Sequence, residues 1–198
     1  MEKNTIAAAK RKIVIIGGSA GSLEVIMRLL PSLHANLRIP IIIVMHRRNT
    51  YESLLAKILS AKTTLKVKEA EEKEKIIPGN VYIAPADYHL LIEENFTFSL
   101  DDSEKINYSR PSIDVTFECA AKVYRSNLVC ILLSGANADG VEGLKMVKQY
   151  NGIAAIQDPA TAQVSFMPQQ AIQHVDLDHI FKIKEIADFI NSLSDGCA

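Results

Sequence analysis

This 198-residue sequence predicts an α/β fold: a doubly wound, mostly parallel sheet with helices on both faces and a short antiparallel edge. Three observations lead there. Apolar runs of strand length alternate with segments of helical period along nearly the whole chain. The longest runs are continuous and β-branched, as strands buried on both faces should be. Glycine-rich turns separate strand-like from helix-like segments, as in Gly17-Gly18-Ser19-Ala20-Gly21 and Ser134-Gly135-Ala136-Asn137-Ala138-Asp139-Gly140.

Taken in order, KIVII at residues 12–16 reads as the first buried strand. Leu23, Ile26, Met27 and Leu30 then stripe one helix face until Pro31 ends it. IPIIIVM at 39–45 is a second strand, and residues 51–60 a helix with Asn49 or Thr50 available to cap it. The alternating charge of 62–75 suggests a solvated strand edge or loop. After the Pro78-Gly79 turn, the short runs 80–84, 88–93 and 96–100 suit antiparallel edge structure. Ile113, Phe117, Ala120, Ala121 and Tyr124 share a helix face entered through Arg110-Pro111-Ser112. NLVCILL at 127–133 is a third deeply buried strand, followed by the 134–140 loop and a helix through Leu144 and Val147 that Gly152 can end. Residues 153–157 and 179–183 complete the strands, and Ile183, Ile186, Ala187 and Ile190 stripe a closing helix. Without repeat or linker, residues 1–198 read as one domain with 1–11 as an N-terminal extension.

Composition narrows the function. A formal charge of −1 and a pI near 6.5 give no global attraction to polyanions, so nucleic acid is not an expected partner. No run approaches the roughly 20 apolar residues of a membrane span. Cys119, Cys130 and Cys197 are odd in number and lack paired spacing, which suits free thiols and a cytoplasmic protein. No His/Cys/carboxylate cluster has metal-ligand spacing, and no metal or other cofactor is expected.

In a parallel sheet the ligand site lies at the carboxyl ends of the strands. Three loops place a reactive side chain there: Ser19 after the first strand, His46 after the second, Asp139 after the third. Gly17 to Gly21 spells G-x-S-x-G between strand and helix, the setting of a nucleophile elbow. Its place at a helix N-terminus supplies backbone N–H donors, those of Ala20 and Gly21, for a developing oxyanion. Each residue also has a plainer reading, Ser19 and Asp139 as helix caps and His46 as a strand-end histidine. His89 and Asp158 are second candidates for base and acid by position. Taken jointly the trio is more telling, because serine needs a base and the base needs an acid to fix its tautomer. The order Ser, His, Asp differs from that of the α/β-hydrolases, so the glycine-serine pattern does not assign that fold.

Six ordered segments resemble the catalytic domain of the CheB protein-glutamate methylesterase family: IGGSAGS, the strand ending in His46, PGNVYIAP, RPSID, SGANADG and QDPATAQVSFMPQQAI. The resemblance implies Ser19 as nucleophile, His46 as base and Asp139 as its orienting acid. It implies removal of methyl groups from glutamate γ-methyl esters of a chemoreceptor-like protein with release of methanol, and deamidation of receptor glutamine by the same route. The chain departs from the family's usual pattern at Ala20, at Ser22, at Arg47-Arg48 and at Ala136-Asn137, where the family carries Met-Gly. The Met position belongs to the family's oxyanion site, so a backbone N–H at Ala136 is the donor expected here. Only about a dozen residues precede the first strand. Control by an N-terminal receiver domain is therefore not expected within this chain, and a separate regulatory protein would have to supply it. Two other functions fit the same fold: a binding module docking on a receptor or another protein without turnover, and a nucleotide or phosphate binder at the glycine turn.

Overall fold

In a computed structural model, which describes residues 12–46 and 52–195, the chain forms a seven-stranded sheet whose paired strands are all parallel. In chain order its strands are β1 (Ile13–Gly18), β2 (Ile41–Met45), β3 (Lys66–Glu69), β4 (Asn80–Ile83), β7 (Leu128–Leu132), β8 (Ile153–Gln157) and β9 (His179–Phe181). Between β4 and β7, β5 (His89–Ile92) and β6 (Phe98–Asp101) pair antiparallel in a separate two-stranded sheet. The helices are α1 (Ser22–Leu29), α2 (Glu52–Ser60), α3 (Ile113–Tyr124), α4 (Val141–Gln149), α5 (Phe166–His174) and α6 (Ile183–Asp195).

Strand order across the large sheet is β3-β4-β2-β1-β7-β8-β9, so the chain winds outward in both directions from β1. The crevice outside the carboxyl end of β1 is therefore the switch point where an open α/β sheet binds its ligand. Alternate residues of β1 and β2 feed two cores. Ile13, Ile15, Ile42 and Val44 face α3, α4 and α5 through Phe117, Leu144 and Met167. Val14, Ile16, Ile41 and Ile43 face α1, α2 and α6 through Ile26, Leu59 and Ile190. With each fully buried aliphatic side chain contributing roughly 1.5–3 kcal/mol, both faces drive the same strand inward and no polar alternation survives.

One element is corrected. The run at 80–84, expected as antiparallel edge structure, is a parallel strand between β3 and β2. Val81, Tyr82 and Ile83 are fully buried, which an edge strand would not allow; the charged β3 takes the edge instead. The antiparallel piece that does form, β5–β6, lies against α3 through Leu90, Phe98 and Phe117 in the same core. Caps at Asn49 and Thr50 fall outside the described residues, as do Arg47, Arg48 and Cys197. Of the other thiols, Cys130 is buried and raised well above the ordinary value, and burial pushes Cys119 up to about 12. Neither is a nucleophile near neutral pH.

Candidate active site

Strand register brings Ser19 and His46 to neighbouring strand ends. β1 and β2 pair in parallel with Gly18 opposite Met45, and the His46 N–H donates to the Gly18 carbonyl at 3.3 Å. Each is therefore the first residue beyond the last paired rung, on neighbouring strands about 4.8 Å apart.

The turn that carries Ser19 is built by its neighbours. Gly21 closes it at φ 84, where an added Cβ would stand 2.7 Å from both Gln163 Cβ and Ser134 Oγ. Left-handed backbone and close approach both require glycine there. Ser19 is not the helix cap. Its carbonyl accepts the N–H and hydroxyl of Ser22, at 3.0 and 2.7 Å, and its side chain caps nothing. The Ser19 N–H donates to the Ser134 carbonyl at 2.9 Å. The buried Ser134 hydroxyl donates to the Ala20 carbonyl at 2.7 Å and accepts the Val164 N–H at 2.9 Å, which ties the turn to the 158–165 segment. Among the described residues, the N–H groups of Ala20, Gly21 and Ala136 and the Ser19 hydroxyl make no hydrogen bond. Half-exposed Ser19 and exposed Ala20 therefore face the crevice with polar groups to spare.

His46 is held by its Nε2. That atom lies 2.6 Å from Asp139 Oδ2, with 13% of the imidazole exposed and none of the carboxylate. An ionised carboxylate only accepts, so Nε2 carries a proton and donates it. In the neutral ring Nδ1 is then the free base. Ser109 Oγ lies 3.3 Å from Nδ1, so a hydroxyl already sits on that nitrogen.

Asp139 does more than face a histidine. Its Oδ2 also accepts the Ile113 N–H at 2.7 Å, and its Oδ1 accepts the Asp114 N–H at 3.1 Å and the Ser112 hydroxyl at 2.8 Å. The carboxylate thus caps α3, a helix that is not its own. Asp114, in the first turn of α3, returns the arrangement: its Oδ1 accepts the N–H groups of Gly140 and Gly143 at the start of α4, at 2.8 and 2.7 Å. Gly140, at φ 98, is the α4 cap position. Two helices therefore exchange acidic caps, each dipole favouring the other's carboxylate. The two acids do not share the charge equally. Burial opposes ionisation of Asp139, but the His46 hydrogen bond and the Ile113 and Asp114 amides outweigh it and hold the carboxyl below its usual range. Burial, with the neighbouring Asp139 charge added, pushes Asp114 up to about 7. Two buried carboxylates this close cannot both ionise freely, and Asp139 takes the charge.

The second candidates are structural. His89 is fully buried, and its Nε2 donates to the Glu104 carbonyl at 3.0 Å while its Nδ1 accepts the Ser112 N–H at 3.2 Å. Asp158 caps a short turn through the Ala160 N–H. Arg110 donates to the carbonyls of Asp102 and Ser103 and braces the 102–109 segment. Sequence reasoning missed Ser109, Ser112, Asp114 and Ser134. Asp114 in RPSID and Ser134 in SGANADG lay within segments already singled out; Ser109, at a turn just before RPSID, had no signal of its own.

The CheB methylesterase family model matches residues 14–190. The chain belongs to the CheB methylesterase family. A relative from Leptospira interrogans is 45% identical over 183 residues, covering 92% of this chain and 95% of that protein. The protein-glutamate methylesterase/protein-glutamine glutaminase of Thermotoga maritima is 36% identical over 187 residues, and there the match covers 93% of this chain but only 54% of the relative. The crystal structure of the Thermotoga maritima CheB methylesterase catalytic domain superposes with a TM-score of 0.89 at 36% identity, covering 92% of this chain and 98% of that one. Among the described residues, no helix is long and apolar enough to cross a membrane.

Proposed function

We propose that this chain is a cytoplasmic protein-glutamate methylesterase that uses Ser19 as nucleophile, His46 as base and Asp139 as the acid that orients it. The observation that carries the reading is the His46 ring, its Nε2 fixed on a buried carboxylate held in its ionised form and its Nδ1 left to accept a proton, at the strand end next to the one that carries Ser19. Nδ1 takes the Ser19 proton as Oγ attacks the γ-ester carbonyl, and Asp139 stabilises the imidazolium that results. The N–H groups of Ala20, Gly21 and Ala136 are the donors offered to the oxyanion. The imidazolium returns its proton to the departing methoxide, giving methanol. Water, deprotonated by the same nitrogen, then attacks the acyl-serine and releases glutamate and free Ser19. A glutamine side chain follows the same course with ammonia as the leaving group. The substrate is a methylated chemoreceptor-like protein.

One observation favours a second assignment. The hydroxyl within reach of Nδ1 is that of Ser109, not Ser19. Ser109 lies in a hairpin turn, however, and the first amides of the nearby α3, those of Ile113 and Asp114, are already taken by Asp139. Methanol release from methylated chemoreceptor, with fluorophosphonate labelling in parallel, separates the two. Ser19→Ala is expected to lower release by at least a thousandfold and abolish labelling, with Ser109→Ala still labelled. Labelling that survives Ser19→Ala and vanishes with Ser109→Ala would overturn the assignment.

A further inference from the structure

The 102–109 segment, between β6 and α3, ends in a two-residue hairpin turn. Ile106 and Ser109 exchange both backbone hydrogen bonds, at 3.2 and 2.9 Å, around Asn107 at φ 50 and Tyr108 at φ 62. Left-handed backbone at both central positions is type I′ geometry, which favours Asn first and Gly second. Asn107 follows that rule. Tyr108 breaks it, since a bulky side chain is disfavoured at this φ.

The fold gains nothing visible in exchange. Tyr108 is 98% exposed, and Ile106 beside it is 42% exposed. Yet the mount is firmly held. Asn107 Nδ2 donates to the buried Asp114 carboxyl at 3.3 Å, His89 Nε2 donates to the Glu104 carbonyl, and Arg110 donates to the carbonyls of Asp102 and Ser103. The next residue, Ser109, touches the catalytic imidazole. An aromatic ring is thus presented to solvent on a fixed support one residue from the base.

We propose that Tyr108, with Ile106, is the anchor by which the enzyme grips its protein substrate, packing on apolar side chains of the segment that flanks the target glutamate. This rests on the methylesterase reading above and names the surface that reading leaves open. Exposed rings on rigid supports are what interfaces use as hot spots, because little side-chain freedom is lost on contact. One Cα step and the length of a tyrosine let the hydroxyl reach roughly 10 Å from the Ser109 backbone, so Tyr108 meets residues that neighbour the target glutamate rather than the ester itself.

The test compares two substrates with one chemistry: methylated chemoreceptor, and N-acetylglutamate γ-methyl ester, too small to reach Tyr108. Tyr108→Gly relieves the backbone, so its melting temperature should hold or rise. Its kcat/KM on receptor relative to the small ester should fall about tenfold, through KM. Tyr108→Phe, which keeps the ring, should retain most of that ratio. A Tyr108→Gly ratio equal to wild type would overturn the anchor, as would equal losses on both substrates. Failure of the methylesterase reading looks different: wild type would then hydrolyse the small ester but release no methanol from receptor, and the anchor would fall with it.

Discussion

His46 and His89 stand on opposite sides of one question. His46 directly follows β2 of the main sheet and His89 opens β5 of the small one, and both have each ring nitrogen in contact with a partner. His89 is fully buried, and both of its partners are backbone groups, the Glu104 carbonyl and the Ser112 N–H. Such partners cannot exchange protons with the ring, so His89 is a brace that joins the 102–109 segment to the start of α3. His46 instead lies between a carboxylate and a hydroxyl, with an edge of the ring still open. What separates the proposed catalytic histidine from the structural one is first of all the chemistry of its partners.

The contrast can be broken at its strongest point first. Asp139→Asn leaves a side chain of the same shape, but its carboxamide can donate to the ring and so no longer fixes the proton on Nε2. A loss of about 10³–10⁴ in kcat is expected, measured as methanol release, with the protein still folded. A loss under tenfold would mean that Asp139 serves α3 rather than His46.

The corresponding change at the other histidine should be felt in stability. His89→Ala strips partners from a buried amide and a carbonyl and leaves a cavity. It should cost about 2–4 kcal/mol and lower the melting temperature by roughly 5–10 °C, with kcat of the folded protein within a few-fold of wild type. A kcat loss matching that of Asp139→Asn would erase the distinction.

The smallest effect probes the acid behind the pair. Asp114, pushed up to about 7 in the folded protein, binds a proton more tightly there than in the unfolded chain. Its contribution to stability is therefore fully present below the unfolded value near 3.9 and is lost as pH rises toward 7. Between pH 5 and 8 wild type should lose about 5 °C of melting temperature relative to Asp114→Asn, which keeps the acceptor for Gly140 and Gly143 but cannot ionise. Parallel curves for the two proteins would show that Asp114 does not titrate in this range.

The strands at 13–18, 41–45 and 128–132 were legible because burial on both faces leaves continuous aliphatic runs. The strand at 80–83 was misplaced because four residues between turns carry too little pattern to separate an edge from an interior position. Tyr82 is telling: its buried hydroxyl accepts from the Ile77 N–H and Asn80, so an apparently amphipathic residue sits wholly inside. In the site, the three residues stood out because strand ends in a parallel sheet converge on one crevice. Ser109 and Asp114 did not, since a serine in a turn and an aspartate in a first helical turn are ordinary residues until the fold supplies their partners.

From the sequence alone came the alternation of strand and helix, the crevice edge, and the trio Ser19, His46 and Asp139. All of these follow from local periods and from which residues end a strand. Tertiary structure alone decided which imidazole nitrogen meets the carboxylate, that Ser109 occupies the other, and that α3 and α4 exchange caps through acids 25 residues apart. Those contacts depend on how two helices pack against one face of the sheet, and hydrogen bonds between residues so far apart leave no periodic trace in the chain.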